Sequence, residues 1–148
     1  MTEQTRTNLE VARQFVEGYL GHGNLSIAPQ VLDNRVQVFT GLKPSGPIDG
    51  IEEYVQVFGS FREAFPQVEP LKILDIFATD ERVVVRFQSV QQHTKDFFGM
   101  AATQRVITFD ETHVMRLQNV KIIENIVSAT NLEFEMLMAP VLTPLILR

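Results

Sequence analysis

The sequence contains no cysteine and no tryptophan, and it lacks any long apolar run. Without cysteine the chain forms no disulfide and has no thiolate to act as a nucleophile or metal ligand. No apolar stretch approaches the roughly 18 residues that a membrane-spanning helix requires. The polar residues 1–6 lack the apolar segment of a signal peptide. These absences predict a cytoplasmic protein that does not enter a membrane.

Clusters of basic residues are also missing. The chain has 13 Lys and Arg against 18 Asp and Glu, a net charge of −5, and its basic residues are scattered singly. Binding to nucleic acid requires Lys and Arg grouped against the phosphates. We therefore expect no nucleic-acid partner. The sequence also has no glycine-rich phosphate loop and no Gly-x-Ser-x-Gly nucleophile motif.

The remaining composition is that of a globular protein. Hydrophobic residues make up 45% of the 148 positions and charged residues 21%, which is typical of a folded chain. A chain of this length forms one ordinary domain. No repeat, low-complexity segment or linker divides it, so we expect a single domain over residues 1–148.

Two helices are predicted in the first half of the chain. Thr7 opens a capping box, and an apolar stripe at helical spacing follows it to Leu20. Asp49 repeats this start signal, and a second apolar stripe follows until Pro66 ends it.

The rest of the chain is rich in β-branched and aromatic residues at strand spacing. The predicted strands are residues 36–40, 71–78, 82–92, 105–117 and 121–128. Helices followed by a run of long strands indicate an α+β fold, with helices packed on one face of an antiparallel sheet.

Two further segments bear on a binding site. Residues 41–47 are rich in Gly and Pro, so they form either a mobile flap over a pocket or an ordinary surface loop, which is the commoner case. The tail, residues 134–148, is strongly apolar although it contains Pro140 and Pro144. We expect it to cover the open sheet, close a cavity or pack on a partner subunit, because an exposed apolar tail promotes aggregation.

The most informative stretch is residues 93–124. It contains His93-Thr-Lys-Asp-Phe-Phe-Gly99, then His113-Val-Met-Arg116 and Lys121-Ile-Ile-Glu124. With the helix at residues 50–66 and the strand at residues 80–87, this order resembles the SnoaL-like polyketide cyclases, from about residue 8 to 132. The resemblance implies the nuclear transport factor 2-like fold, a cone-shaped curved antiparallel sheet wrapped around N-terminal helices. It also implies a small hydrophobic substrate and acid/base chemistry without a cofactor, although this scaffold also carries other reactions and proteins without catalysis.

The resemblance carries over only residue by residue. The family's cavity histidine matches His113, whereas its acid/base aspartate aligns with Val127, which cannot move a proton. The His-Trp pair that is usual before that aspartate is replaced by Asn125-Ile126. We therefore expect the family's aldol ring closure to be absent or very slow.

Three residues are candidates for catalysis: His113, Glu111 and His93. Alternation along a strand places Glu111 on the same face as His113 and Asp110 on the other. Glu111 could then orient the imidazole as a base, or either group could act as an acid. If the two strands pair as a hairpin, His93 can reach the same cavity. Each histidine could instead be a hydrogen-bonded core residue, and for His93 the neighbouring Thr94 favours that alternative.

The expected cavity wall is apolar and aromatic. Its predicted substrate-binding residues are Phe15, Tyr19, Tyr54, Val57, Phe58, Phe87, Phe109, Met115 and Val127, of which Tyr19 and Val57 match positions that shape the pocket in the resembled family. No tight His-x-His spacing supports a metal site, so we expect neither a metal nor a cofactor. Three functions stay open: an acid/base enzyme of the cyclase, isomerase or hydrolase type, a non-catalytic binding protein, and a dimerising interaction module. We also expect a homodimer that pairs through the sheet.

Overall fold

The structure, a computed structural model, describes residues 1–43 and 45–147. Pro44, in the predicted flap, and Arg148, at the end of the predicted tail, lie outside the described residues. The helical segments are α1 (Glu3–Arg13), a π-helical continuation (Gln14–Gly21), α2 (Ala28–Val31), α3 (Ile51–Ala64) and α4 (Leu132–Ile146).

The first helix begins earlier than predicted. Its N-cap is Thr2, whose side-chain oxygen accepts a hydrogen bond from the Thr5 backbone nitrogen at 3.0 Å. Thr5 in turn donates to Asp80 at 2.7 Å, which ties this cap to the sheet. The capping box predicted at Thr7 is therefore wrong. A tertiary contact selects one threonine among several that the sequence offers.

The second long helix has its predicted end but not its predicted cap. It follows Gly50, which has a φ of 91° and makes no side-chain capping bond, whereas Asp49 is the last residue of a strand. A positive φ is accessible to glycine without steric cost, so Gly50 can turn the chain directly from strand to helix. The helix ends at Ala64, ahead of Pro66.

Six strands form one sheet. They are β1 (Leu32–Phe39), β2 (Ile48–Asp49), β3 (Lys72–Ala78), β4 (Arg82–Gln92), β5 (Val106–Gln118) and β6 (Lys121–Ala129). Their order is β2-β1-β6-β5-β4-β3, and the sheet is curved and unclosed. All neighbouring pairs are antiparallel except β1 and β6, which run parallel. The predicted α+β fold is confirmed, with this one parallel pair as an addition.

The sheet and helices enclose two groups of buried side chains. The first lies between α1, its π-helical continuation and the sheet, and includes Phe15 and Tyr19. The second is an aromatic cluster of Phe61, Phe65, Phe97, Phe109 and Phe134. Helix α4 contributes to the second group by burying Phe134 and Met138. Within the described residues, no helix has both the length and the apolarity to cross a membrane.

Candidate functional site

A cavity of about 430 Å³ opens between the inner face of the sheet, α3 and α4. Its volume falls in the range typical of small-molecule sites. Five of the nine predicted wall residues line it: Tyr54, Phe58, Phe87, Phe109 and Val127. The apolar tail contributes through α4, which places Phe134, Leu142 and Ile146 on the wall. Closing a cavity was one of the roles expected for that tail.

The other four predicted wall residues do not line the cavity. Phe15, Tyr19 and Met115 are fully buried in the helix-sheet core, and Val57 packs against the edge of that core. The rings of Phe15 and Tyr19 stack with centroids 6.0 Å apart. These side chains fill the closed end of the fold, so the open space lies further along the sheet.

His113 and Glu111 form the polar centre of the cavity wall. Both project from β5 to the inner face, as the alternation predicts, and the Nε2 atom of His113 lies 2.9 Å from the Oε1 atom of Glu111. The imidazole is 3% exposed and the carboxylate side chain 20%. Val127 lies directly opposite His113 in the β5–β6 ladder and also lines the cavity. Glu111 is thus the more accessible member of the pair.

Asn125 completes this arrangement, although the sequence analysis did not select it. The fully buried amide donates from Nδ2 to the Nδ1 atom of His113 at 2.8 Å. Both ring nitrogens of His113 are therefore engaged by side chains, and the ring cannot reach a ligand directly. The sequence could have indicated Asn125 through the alternation of side chains along β6, because Asn125 is two residues from Val127 and shares its face.

Asp110 faces the opposite side of the sheet, as predicted. Its carboxylate accepts hydrogen bonds from Arg86 at 3.0 and 2.7 Å and from Gln88 at 3.2 Å. The Arg86 guanidinium holds the pKa of the Asp110 carboxyl below its usual range. Asp110 is therefore part of the outer surface and not of the cavity.

His93 does not join His113, so the expectation that both imidazoles share one cavity is wrong. The β4–β5 register pairs Val85 with His113, and His93 lies eight residues further along, about 26 Å at strand spacing. There the buried ring stacks on Phe65 at 4.5 Å, and its Nδ1 atom bonds Thr103 at 3.0 Å. His93 is therefore a hydrogen-bonded core residue, which was the alternative to a catalytic role.

The phenol of Tyr54 is a neutral hydrogen-bond donor on the cavity wall. Burial raises the pKa of Tyr54 well above its usual value, and the charges of Tyr19 and Glu111 add to the effect. Burial also raises the pKa of Tyr19 to about 12, with Arg62 opposing the shift. Tyr54 therefore stays protonated at neutral pH and can donate a hydrogen bond to a ligand oxygen.

A second polar group lies along the cavity from the His113 pair. Gln67 donates to Ser89 at 3.2 Å, Ser89 donates to Gln91 at 2.9 Å, and Arg62 beside them donates to the backbone oxygen of Gly21 at 3.0 Å. Ser89 and Gln91 share one face of β4 with Phe87, as strand alternation requires, whereas nothing in the sequence indicated Gln67 or Arg62. The cavity wall therefore carries a second group of polar side chains besides the Glu111–His113 pair.

The loop after β1 also reaches the cavity. Thr40, Gly41 and Leu42 belong to its wall, so this part of the predicted flap lies beside the site rather than elsewhere on the surface. Among the described residues, no group of three or more His, Asp or Glu is placed to hold a metal ion.

The structure is an α+β fold in which a curved, unclosed sheet and helices enclose a cavity, and the comparisons with known proteins identify the family that has this fold. The SnoaL-like polyketide cyclase family matches residues 10–135. The chain belongs to that family. No curated protein matches it in sequence.

Solved structures share the fold at low sequence identity. A candidate SnoaL-like polyketide cyclase from Jannaschia sp. CCS1 superposes with a TM-score of 0.81 at 13% identity, covering 95% of each chain. IdmH, a candidate polyketide cyclase from Streptomyces antibioticus, gives 0.72 at 16%, covering 89% of this chain and 98% of its own. AclR, a candidate hydroxylase from Streptomyces galilaeus, gives 0.74 at 15%, covering 89% and 84%. Identities this low establish the fold alone.

Proposed function

We propose that the protein is an enzyme that moves a proton on a small hydrophobic substrate without a cofactor. The observation that carries this proposal is the hydrogen-bonded pair of Glu111 and His113 on the wall of a largely apolar 430 Å³ cavity. A carboxylate that is partly withdrawn from water, with one oxygen held and the other unbonded among the described residues, is suited to proton transfer. An apolar wall strengthens its interaction with a bound substrate.

In this proposal Glu111 is the group that touches the substrate. Its Oε2 atom takes a proton from a carbon next to a carbonyl group and returns it to the enolate at the same or another position. His113 donates from Nε2 to Oε1 of Glu111 and so fixes the carboxylate. Both ring nitrogens of His113 are engaged by side chains, so the ring itself does not contact the substrate. The neutral phenol of Tyr54 donates to the carbonyl oxygen, where negative charge develops.

A non-catalytic binding protein is the second candidate. It is favoured by Val127, which lies opposite His113 at the position where the resembled cyclases carry their aspartate. An apolar residue there enlarges the hydrophobic wall but adds no proton-transfer group. This candidate keeps the cavity and its ligand but not the reaction.

Deuterium exchange separates these candidates. The protein is incubated in D₂O with a panel of flat aromatic keto esters, including an anthraquinone-type ester, and exchange at the acidic carbon is followed by NMR. Binding of the same compounds is measured by calorimetry. Binding with exchange that Glu111→Gln abolishes supports the enzyme. Binding without exchange supports the binding protein, and the absence of both supports the dimerising module.

We also propose that the protein is a homodimer that pairs through the outer face of the sheet. One apolar row crosses five strands in register: Phe77 beside Val84, Val114, Ile126 and Phe39. Three of these side chains are exposed, and such a continuous apolar row is suited to contact with a second copy.

The tail beyond Pro140, where Leu145 and Leu147 are exposed, can add to this contact. Sedimentation at micromolar concentration should give a dimer, and Ile126→Lys should convert it to a monomer. A wild-type monomer under those conditions contradicts the proposal.

A further inference from the structure

Asn125 is a buried amide among apolar neighbours. Its partners across the sheet are Met115 on β5 and Val38 on β1, both buried. Its Oδ1 atom has no hydrogen-bond partner among the described residues. A buried polar side chain with an unpaired atom is costly at a position where an apolar residue could pack. The amide therefore requires an explanation beyond packing, and its contact with His113 supplies one.

The two contacts of His113 together specify where the ring carries its proton. An ionised carboxylate only accepts hydrogen bonds, so the contact with Glu111 requires a proton on Nε2. The amide nitrogen of Asn125 only donates, so the contact with Nδ1 requires that this atom be unprotonated. A ring with a proton on Nε2 alone is neutral. Around it the structure places the aromatic rings of Phe15 and Phe87, and Glu111 is the charged group within contact.

The orientation of the amide follows from what each alternative leaves unpaired. With Nδ2 toward His113, the atom without a partner is the carbonyl oxygen Oδ1. With the amide turned, the NH₂ group would be left unpaired instead. Unpaired buried N–H groups are rarer in proteins than carbonyl oxygens with free lone pairs. The donor orientation is thus the favoured one.

We propose that Asn125 is a positioning residue that holds His113 as the neutral tautomer protonated on Nε2. The catalytic consequence rests on the proposed function: a neutral ring donates to Glu111 without adding a positive charge, so the carboxylate remains a usable base. A protonated ring in the same place would form a tight ion pair with Glu111 and compete with the substrate proton. The tautomer itself does not depend on any reaction.

The tautomer can be measured directly in the unliganded protein. The chain has only three histidines, so long-range ¹H–¹⁵N spectra of histidine-labelled protein resolve each ring. At neutral pH the Nδ1 atom of His113 should appear as an unprotonated nitrogen and Nε2 as a protonated one. His113→Gln assigns the signal by its loss, and His22, which is exposed, serves as the reference for a ring in contact with water. A doubly protonated ring, or a proton on Nδ1, overturns the proposal without any variant of Asn125.

Asn125→Asp provides the matched test, because the ionised aspartate keeps the shape of the side chain but can only accept hydrogen bonds. We expect the doubly protonated signature of His113 to persist to higher pH, and the exchange rate at neutral pH to fall roughly tenfold or more, since a wrong histidine tautomer is costly in catalysis. Asn131→Asp is the control. Asn131 is also buried, but its Oδ1 accepts from the Asp110 backbone, so the His113 spectrum should not change.

An unchanged His113 spectrum in folded Asn125→Asp overturns the positioning role. The predicted tautomer in a protein that exchanges no substrate would instead count against the proposed function alone.

Discussion

The two buried histidines among the described residues lie on or next to neighbouring strands, His113 within β5 and His93 directly after β4, yet their surroundings differ completely. His113 lies on the cavity wall between two polar side chains, Glu111 and Asn125, within 2.9 and 2.8 Å. His93 directly follows β4. Its ring stacks on Phe65 with an angle of 7° between the rings, and it bonds Thr103 in the loop. Strand alternation cannot separate these residues, because it is the same for both. The strand register separates them.

This difference shows that the groups a buried histidine contacts indicate its role better than its degree of burial does. His93 is as buried as His113, but its ring holds a loop to an aromatic cluster. His113 contacts a carboxylate on the cavity wall, that of Glu111. If this comparison is correct, changes at the two sites should affect different properties: activity at the Glu111–His113 pair and stability at His93.

The largest expected effect is on activity at Glu111. Glu111→Gln can still accept a hydrogen bond from His113 through its amide oxygen, so the fold should be retained. Proton transfer should nevertheless fall by roughly 10² to 10⁴ in rate, because an amide is not a base. The measurement is the rate of deuterium exchange into the best substrate of the keto ester panel.

Asp110→Asn is the matched control for this change. It removes a carboxylate from the adjacent position on the outer face, away from the cavity. Exchange should stay within about twofold of wild type, since a surface charge at that position contacts no substrate. Equal losses in both variants would show that the rate depends on general charge rather than on Glu111.

The long strands were predictable because their residues satisfy a strong local pattern. The predicted bounds of β4, residues 82–92, match the structure. β5 is displaced by one residue at both ends, and β6 extends one residue further than predicted. The start of α1 was not predictable, since several threonines can cap a helix and a contact with Asp80 decides between them. The parallel pairing of β1 with β6 also depends on the path of the whole chain.

The only features of the site that could be predicted are those that follow from the alternation of side chains along a strand. The shared face of Glu111 and His113 followed from the strand period, and so did the outward position of Asp110. The separation of His93 did not, because the centre of the β4–β5 hairpin lies in a long loop whose length allows several registers. Asn125 was missed since a single asparagine within an apolar strand carries no motif.

The next prediction concerns Val127, which faces His113 across the ladder. Wild-type protein should show no ring closure of an anthraquinone-type ester above background, because Val127 supplies no acid or base. Val127→Asp places a carboxylate on the wall and should raise turnover to at least about tenfold above background. Val127→Asn, of the same size but without a base, is the control. Fast closure by the wild type would mean that another residue supplies the proton transfer.

The comparison also predicts a stability effect at His93. His93→Leu keeps much of the volume but removes the bonds to Thr103 and the aromatic stack with Phe65. We expect the free energy of unfolding to fall by about 1–3 kcal/mol, measured by urea unfolding followed by circular dichroism. The exchange rate per folded molecule should stay the same. A loss of activity in folded His93→Leu would show that His93 takes part in the reaction. It would contradict the difference in role between His93 and His113.

The smallest expected effect lies on the outer face, at the ion pair of Asp110 and Arg86. The pKa of Asp110 is lower in the folded chain than in the unfolded one, because Arg86 donates to its carboxylate. The stabilisation is therefore fully present above the unfolded pKa, about 3.9, and is lost as pH falls through the lower folded value. Since Arg86 is half exposed, we expect less than about 1 kcal/mol.

Urea unfolding of wild type and Asp110→Asn at two pH values measures this contribution. The variant should be slightly less stable at pH 7, and the difference should shrink at pH 3, which lies below the unfolded pKa of the carboxyl. Arg86→Gln should reproduce the result, because it removes the other partner and leaves the cavity unchanged. If the stability difference between wild type and Asp110→Asn grows in acid, the Asp110 side chain stabilises the fold in its protonated form. The division of β5 into a reactive inner face and a purely structural outer face would then need revision.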